Sequence, residues 1–453
     1  MRFSQHSRHL SLRFAVGAVL LTAAAGVHAS GFALLEQSAS RLGTAFSGTA
    51  AAADDATTIF YNPAGMMNLD ELEISAAASG VNISSQFRNG ASQPALGQPL
   101  GAEGGDAGDW NAIAAAYVAL PINENLAAGF AFNVPFGLKL EYDNDWMGRF
   151  QALTSEIRTF NFNPALAFRL NEHVSLGFGL NYQRILAELT NSVNYTAAIA
   201  AVSPALVPLN TGLEGNLVVR GDDAAWGFNA GVLFEFTPRT RLGLSYRSSI
   251  QYEVEGTVNF TAPTATNPTG AAIIAAASAP GGPLADSGAT VDIELPDIAT
   301  ASLYQAIGDN VELLIDVAWT GWSSVQYLNV VRDNGVLLSG TPELWEDTWR
   351  YAIGATWKVN DAWKLRGGLA FDETPVPDET RTARLPDTER KWVAIGARWT
   401  PTTATIIDFG YAHLFSDDVP VNQNEGNTLR SGLLNGQQES AVDIISLQLG
   451  YRF

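Results

Sequence analysis

Few side chains in this sequence could carry chemistry. Cysteine is absent, which removes thiol nucleophiles and disulfides. Of the five histidines, only His173 and His413 lie beyond residue 29, and two isolated imidazoles make no histidine-rich metal site. No metal and no cofactor is expected. His413 is followed closely by Ser416, Asp417 and Asp418, the composition of a nucleophile, a base and its orienting acid. Residues so near one another at one strand end do not reach triad geometry, so the chain is read as no enzyme. A second group opens the stretch "DDATTIFYNPAGM" (54–66), where two acids and an apolar run lead to Asn62-Pro63-Ala64-Gly65. Proline cannot donate to a strand ladder, and Asn and Gly favour turns. That piece reads as folded, yet neither strand nor long helix, and its use depends on the elements around it.

The compartment is read from the start of the chain. Arg2, Arg8 and Arg13 precede an apolar run from Phe14 to Val27, and Val27-His28-Ala29 ends it with small residues at the positions a signal peptidase reads. The run is shorter than the roughly 18 residues a membrane helix needs. Residues 1–29 are therefore expected to be a secretory signal peptide, cleaved near Ala29. Its removal leaves 23 basic residues against 46 acidic ones, and nucleic acid is excluded as a partner by that charge. With 47% hydrophobic residues and no apolar run long enough for a spanning helix, any structure crossing a bilayer must be a closed barrel of strands.

Period-two alternation is clean. Val174, Leu176, Phe178, Leu180 and Tyr182 alternate with Ser175, Gly177, Gly179, Asn181 and Gln183, and Trp349, Tyr351, Ile353 and Trp357 oppose Arg350, Ala352, Gly354 and Lys358. A soluble sandwich would alternate too, so the connections decide. Fourteen candidate strands lie between residues 71 and 453, the sixth over 225–236, the ninth over 310–331 and the last over 440–453. Short turns such as "PINEN" (121–125), "LNEH" (170–173) and "TPTT" (400–403) alternate with long loops such as 193–224, 261–287 and 417–439. An even number of antiparallel strands with tight turns at one end and long loops at the other is the outer-membrane pattern. The fold class is all-β: a 14-stranded antiparallel transmembrane β-barrel over 71–453, preceded by a segment, 30–70, too interrupted to be a strand pair. The chain ends "IISLQLGYRF", whose terminal aromatic resembles the signal read by barrel-assembly machinery. The expected location is the outer membrane of a Gram-negative bacterium.

The segment "SGFALLEQSASRLGTAFSGTAAAADDATTIFYNPAGMMNL" (30–69) resembles the N-terminal hatch of the FadL/TodX family of outer-membrane transporters for long-chain fatty acids and other hydrophobic compounds. The blocks "WMGRFQALTSEIRTFNFNPALAFRLNEHVSLGFGLNY" (146–182), "AWGFNAGVLFEFTPRTRLGLSYRS" (225–248) and "FDETPVPDETRTARLPDTERKW" (371–392) are similar to others of the family, so the resemblance spans the mature chain. It implies a monomeric barrel with a small hatch in the lumen, with Gly31 and Phe32 at its start and Asn62, Pro63 and Ala64 in its motif. The partners it implies are hydrophobic small molecules and the lipid of the outer membrane.

Two further features bear on passage. In the third strand, "LAAGFAFNVPFGLKL", Pro135 removes a ladder donor and Gly137 permits unusual backbone angles, so Asn133, Pro135, Phe136 and Gly137 are expected to bulge or break the pairing. The resemblance implies an inward kink there and a lateral opening to lipid; a bulge without passage is the alternative. The loop runs "YTAAIAAVSPALVPL" (195–209) and "AAIIAAASAP" (271–280) are read as short helices forming a capture groove, or packing on each other over the barrel mouth. Arg184, Arg350, Lys364 and Arg366 are the expected lumenal groups for a carboxylate, with ion pairing as their alternative role. The basic pair that the family aims at a carboxylate falls on Leu189 and Thr341, which leaves neutral hydrocarbons open as ligands. A general diffusion porin is the remaining alternative.

Overall fold

In the computed structural model, residues 31–423 and 428–453 are described; the expected signal peptide and Ser30 lie outside them. The strands are β1 (Glu73–Asn89), β2 (Trp110–Asn123), β3 in two halves (Leu126–Asn133 and Gly137–Glu141), β4 (Thr154–Asn171), β5 (Val174–Asn194), β6 (Glu214–Thr237), β7 in two halves (Thr240–Arg247 and Ile250–Thr261), β8 in two halves (Ser287–Leu295 and Ile298–Ile307), β9 (Val311–Thr320), β10 (Thr348–Lys358), β11 (Trp363–Asp372), β12 (Arg390–Trp399), β13 (Thr405–Ser416) and β14 (Leu434–Arg452). Each pairs antiparallel with its neighbours. The ladder closes where β1 meets β14 from Glu73↔Arg452 to Asn89↔Gly436. This closure satisfies the strand edges in lipid, as a bilayer demands, except beside the upper half of β3. Among the described residues no helix is long and apolar enough to cross a membrane.

The alternation now has a direction. Phe162, Leu166, Phe168, Leu176, Phe178 and Leu180 are exposed on the outside, while Asn161, Asn163, Asn181 and Gln183 are buried inside. This is the inverse of a soluble sandwich and settles the choice that periodicity left open. Two boundaries differ from the sequence reading. β6 starts at Glu214, well before 225, because Glu214–Asp222 pair with β5 and Asn216–Asp222 pair also with the upper half of β7. The ninth strand stops at Thr320, and the short helical turn Trp322–Ser324 precedes a separate hairpin, Tyr327–Arg332 with Leu337–Pro342.

Residues 31–69 lie inside the wall. The segment holds helices α1 (Ala39–Leu42) and α2 (Thr58–Tyr61) and the 3-10 helix Pro63–Asn68, started by Asn62, whose side chain accepts from the Ala64 amide at 3.1 Å. It sits directly on inward-facing glycines of the wall. A Cβ at Gly177 would lie 2.1 Å from the Ala64 nitrogen, and one at Gly243 would lie 1.9 Å from the Ala50 oxygen. The small inner face of the strands is thus the seat of the plug. Above the opposite end, α3 (Tyr195–Val202) and α4 (Pro268–Ser278) form from the two apolar loop runs. Each is capped by an asparagine, Asn194 accepting from Ala197 and Asn267 from Gly270.

Candidate functional site

The third strand breaks over 134–136, around Pro135, and the pairing resumes at Gly137 opposite Arg158, so Asn133 and Gly137 flank the break and do not lie in it. β2 pairs with β3 only from Ala116↔Phe132 toward the turn, whereas β2 residues Trp110–Ala115 pair only with β1. The upper half of β3 pairs only with β4. The wall therefore lacks a ladder between β2 and β3 above Ala116. Residues 32–37 of the hatch line this break from within. The Leu34 amide donates to the Pro135 carbonyl at 2.8 Å, and the Gly137 amide to the Phe32 carbonyl at 3.0 Å. Gln37 closes both sides of Val134, accepting from its amide at 3.1 Å and donating to its carbonyl at 2.7 Å. Phe32 fills an aromatic box of Phe136, Trp322 and Trp345, with centroids 6.0, 5.0 and 5.8 Å away. Gly31 begins this strip at φ +61°, its amide donating to Asp387 Oδ2 at 2.9 Å. Asn133 accepts from Asn161 Nδ2 at 3.0 Å, at the edge of a buried asparagine network reaching Asn181 and Arg247.

The lower part of the hatch is fixed by charge. Asp54 pairs with Arg41, and Asp55 Oδ2 accepts from Arg398 Nη2 at 2.7 Å and from Ser40 Oγ at 2.7 Å. Arg398 and Arg366 share Asp408, with contacts of 2.8 and 2.5 Å to Oδ1. Burial alone would raise the Asp54 carboxyl, but Arg41, Arg398 and Arg366 outweigh it and hold it well below the usual carboxylate range. Asn62 Nδ2 donates to the Ala50 carbonyl at 2.7 Å and to the Val232 carbonyl of β6 at 3.1 Å.

The four expected carboxylate binders separate. Arg184 is a correction: it lies on the outer face, in phase with Leu180 and Tyr182, half-exposed and paired with Asp222 at 2.8 Å. Even-numbered residues of β5 point outward, so an inward role was never compatible with its phase. Lys364 pairs with Glu312 at 3.0 Å and Arg366 belongs to the hatch cluster, so both have the ion-pairing role. Arg350 alone lines a lumenal cavity, of about 80 Å³, shared with Phe46, Phe60 and Arg247; its Nη2 donates to the Ala45 carbonyl. Leu189 and Thr341 do meet across one cavity of about 100 Å³, and Arg384 and Arg430 reach that same cavity from other elements. The supposed hydrolase set is divided by the wall. His413 faces outward and bonds Asp443 at 2.8 Å, while Ser416 lines a lumenal cavity.

The loop helices enclose a large space. A groove of about 1320 Å³ runs between α3, α4 and the hairpin, lined mainly by Ala198, Ala201, Val207, Ile273 and Leu338. Arg332 stands at its side, donating to the carbonyls of Ala285 and Pro283 and to Ser287 Oγ. It forms no ion pair among the described residues. Sequence reasoning missed Arg41, Arg332, Asp408 and Trp322; each acts through partners far along the chain or inside a loop, where alternation carries no signal.

The same architecture is found among known proteins. The family described as Outer membrane protein transport protein (OMPP1/FadL/TodX) matches over residues 20–453. The chain is 29% identical over 402 residues to the long-chain fatty acid transport protein of Salmonella typhi, covering 87% of this chain and 89% of that one. It is 30% identical to the 47 kDa outer membrane protein of Pasteurella multocida, with 97% of each covered. The crystal structure of a Pseudomonas aeruginosa FadL homologue superposes with a TM-score of 0.85 at 26% identity, over 94% of this chain and 100% of that one. The toluene transporter TodX of P. putida shares the fold, with a TM-score of 0.67 at 14% identity, over 94% of this chain and 99% of that one.

Proposed function

This chain belongs to the OMPP1/FadL/TodX family of outer-membrane transport proteins, and from that premise we propose that it is a passive uptake channel for long-chain fatty acids or related hydrophobic compounds. The observation that carries the reading is the lapse of pairing between β2 and β3, lined from within by hatch residues 32–37. A greasy molecule is captured in the apolar loop groove, descends into the lumen, displaces the strip from Pro135 and Gly137, and leaves sideways into lipid. That exit avoids about 0.8 kcal/mol of water exposure for each methylene. The lower hatch, held by Asp54, Asp55 and the three arginines, stays in place and blocks polar solutes, which argues against a general porin.

Arg332 beside the groove and Arg384 and Arg430 at the Leu189–Thr341 cavity favour a carboxylate-bearing ligand. The engagement of Lys364 and Arg366 in ion pairs favours the second reading, a channel for neutral aromatic or alkane hydrocarbons. Uptake of radiolabelled oleate and hexadecane by cells lacking their own route for either tests both. Oleate uptake above background supports the first reading, and hexadecane alone supports the second. Fast swelling of liposomes in sugars, with neither compound taken up, would leave only the porin.

A further inference from the structure

The hatch strip also borders a second lumenal cavity, of about 110 Å³, between Leu34, Val81, Leu138 and Trp392. One side chain of the strip that lines it, a carboxyl, was given no role above. Glu36 is 7% exposed, and its Oε2 is buried without a hydrogen-bond partner. Its main chain is fixed, the carbonyl accepting from Ser79 Oγ at 3.0 Å. The titratable and charged groups around it are Asp372 of β11, Arg350 of β10, Arg390 of β12, Asp387 from the loop before β12, and the Tyr61 hydroxyl of α2, which donates to the Leu35 carbonyl at 2.9 Å. Both cations are already committed, Arg390 donating to Asp387 Oδ1 at 2.5 Å and Arg350 to the Ala45 carbonyl. A ligand carboxylate brought here unprotonated would meet Glu36, Asp372 and Asp387 against those two cations, an arrangement that like-charge repulsion in a buried site opposes.

We propose that Glu36 binds the ligand's carboxyl through one shared proton, so that an anionic fatty acid occupies this cavity only while the pair of carboxyl groups holds a single proton. The inference rests on the fatty-acid reading above. The proton sits on one of the two carboxyl groups and is donated to an oxygen of the other; no bond beyond O–H breaks. Burial pushes the Glu36 carboxyl up to about 7, against the pull of Arg390 and Arg350, so the proton is present near neutrality. Binding of an anionic head is then strongest below that value and weakens as pH rises through it, tenfold per unit.

The test uses the full barrel held in amphipol, with decanoate and methyl decanoate as probes, titrated from pH 6 to pH 9. Decanoate should bind the native protein about a hundredfold more weakly at the upper limit, and the ester equally at both. In Glu36→Gln, whose amide donates at every pH, decanoate should bind independently of pH; heat-modifiable migration on gels checks that this variant is folded. A flat profile in the native protein, a slope that survives in Glu36→Gln, or the same slope with the ester would overturn the proposal. If neither probe binds the native protein at any pH, the uptake reading itself falls, and this inference with it.

Discussion

Arg398 reaches three carboxylates from one inward position on β12, and it tests the hatch seat at the scale of a single residue. Its Nη2 is 2.7 Å from Asp55 and its Nε 2.8 Å from Asp408, with Asp54 at 3.5 Å. Arg398→Ala leaves buried acids short of a cation, a defect worth about 3–5 kcal/mol. The barrel ladder does not depend on it, so the expected outcome is a folded barrel with a loosened plug, read as faster entry of small sugars into liposomes. Unchanged swelling would mean that the glycine seats alone retain the hatch. The depressed Asp54 carboxyl gives the same seat a pH signature: its contribution is complete above the ordinary carboxylate range and is lost only as pH falls through the lowered value. The plug should therefore stay closed through mild acid and leak only in strong acid, which the same swelling assay reads across pH. At the mouth, Arg332→Gln should weaken oleate capture by about 1.5–3 kcal/mol, the worth of a hydrogen bond to a charged group, and leave methyl oleate unchanged. Equal losses for both ligands would assign Arg332 to loop structure alone.

At the scale of elements, the broken third strand is the feature that the sequence makes plainest. Pro135 lacks a donor and lies in the run 134–136 that leaves the ladder, whereas Gly137 already resumes the pairing opposite Arg158. The wall strands were legible for a similar reason, since lipid imposes period-two alternation on one face. Less was legible where the partner lay outside the bilayer. Residues 214–224 carry Gly and Asp that read as loop, yet all pair with β5, and 216–222 pair with β7 as well, which extends β6. Arg184 looked lumenal because of its charge, although its parity with Leu180 and Tyr182 places it outside. The hatch cluster joins Asp55 to Arg398 across 343 positions, a juxtaposition that local pattern does not encode. The break in the wall also predicts a dynamic difference within one strand. Amides of Trp110–Ala115 that face β3 have no ladder partner there, so their hydrogen exchange should exceed that of Ala116–Ala119. Equal protection along β2 would mean that the edge is paired in solution.

At the scale of the whole molecule, the proposed uptake channel separates two tasks that a simple pore would merge. In that proposal the wall and the lower hatch keep polar solutes out, while the upper hatch strip and the gap between β2 and β3 give one route from lumen to lipid. The central claim is that hydrophobic ligands leave by that route, and a reversible staple tests it most directly. Ala115 of β2 and Asn133 of β3 are both buried and stand one step beyond the last paired residues, Ala116 and Phe132. Replacing both with cysteine in this cysteine-free chain permits a disulfide across the gap. Uptake of radiolabelled ligand by cells carrying this variant, measured oxidised and then reduced, is the decisive experiment, with surface capture followed in parallel. The expected result is that the oxidised variant captures ligand but does not deliver it, and that reductant restores delivery. Full delivery through a barrel whose disulfide is shown to be formed would contradict the lateral route, and passage would then have to run through the hatch.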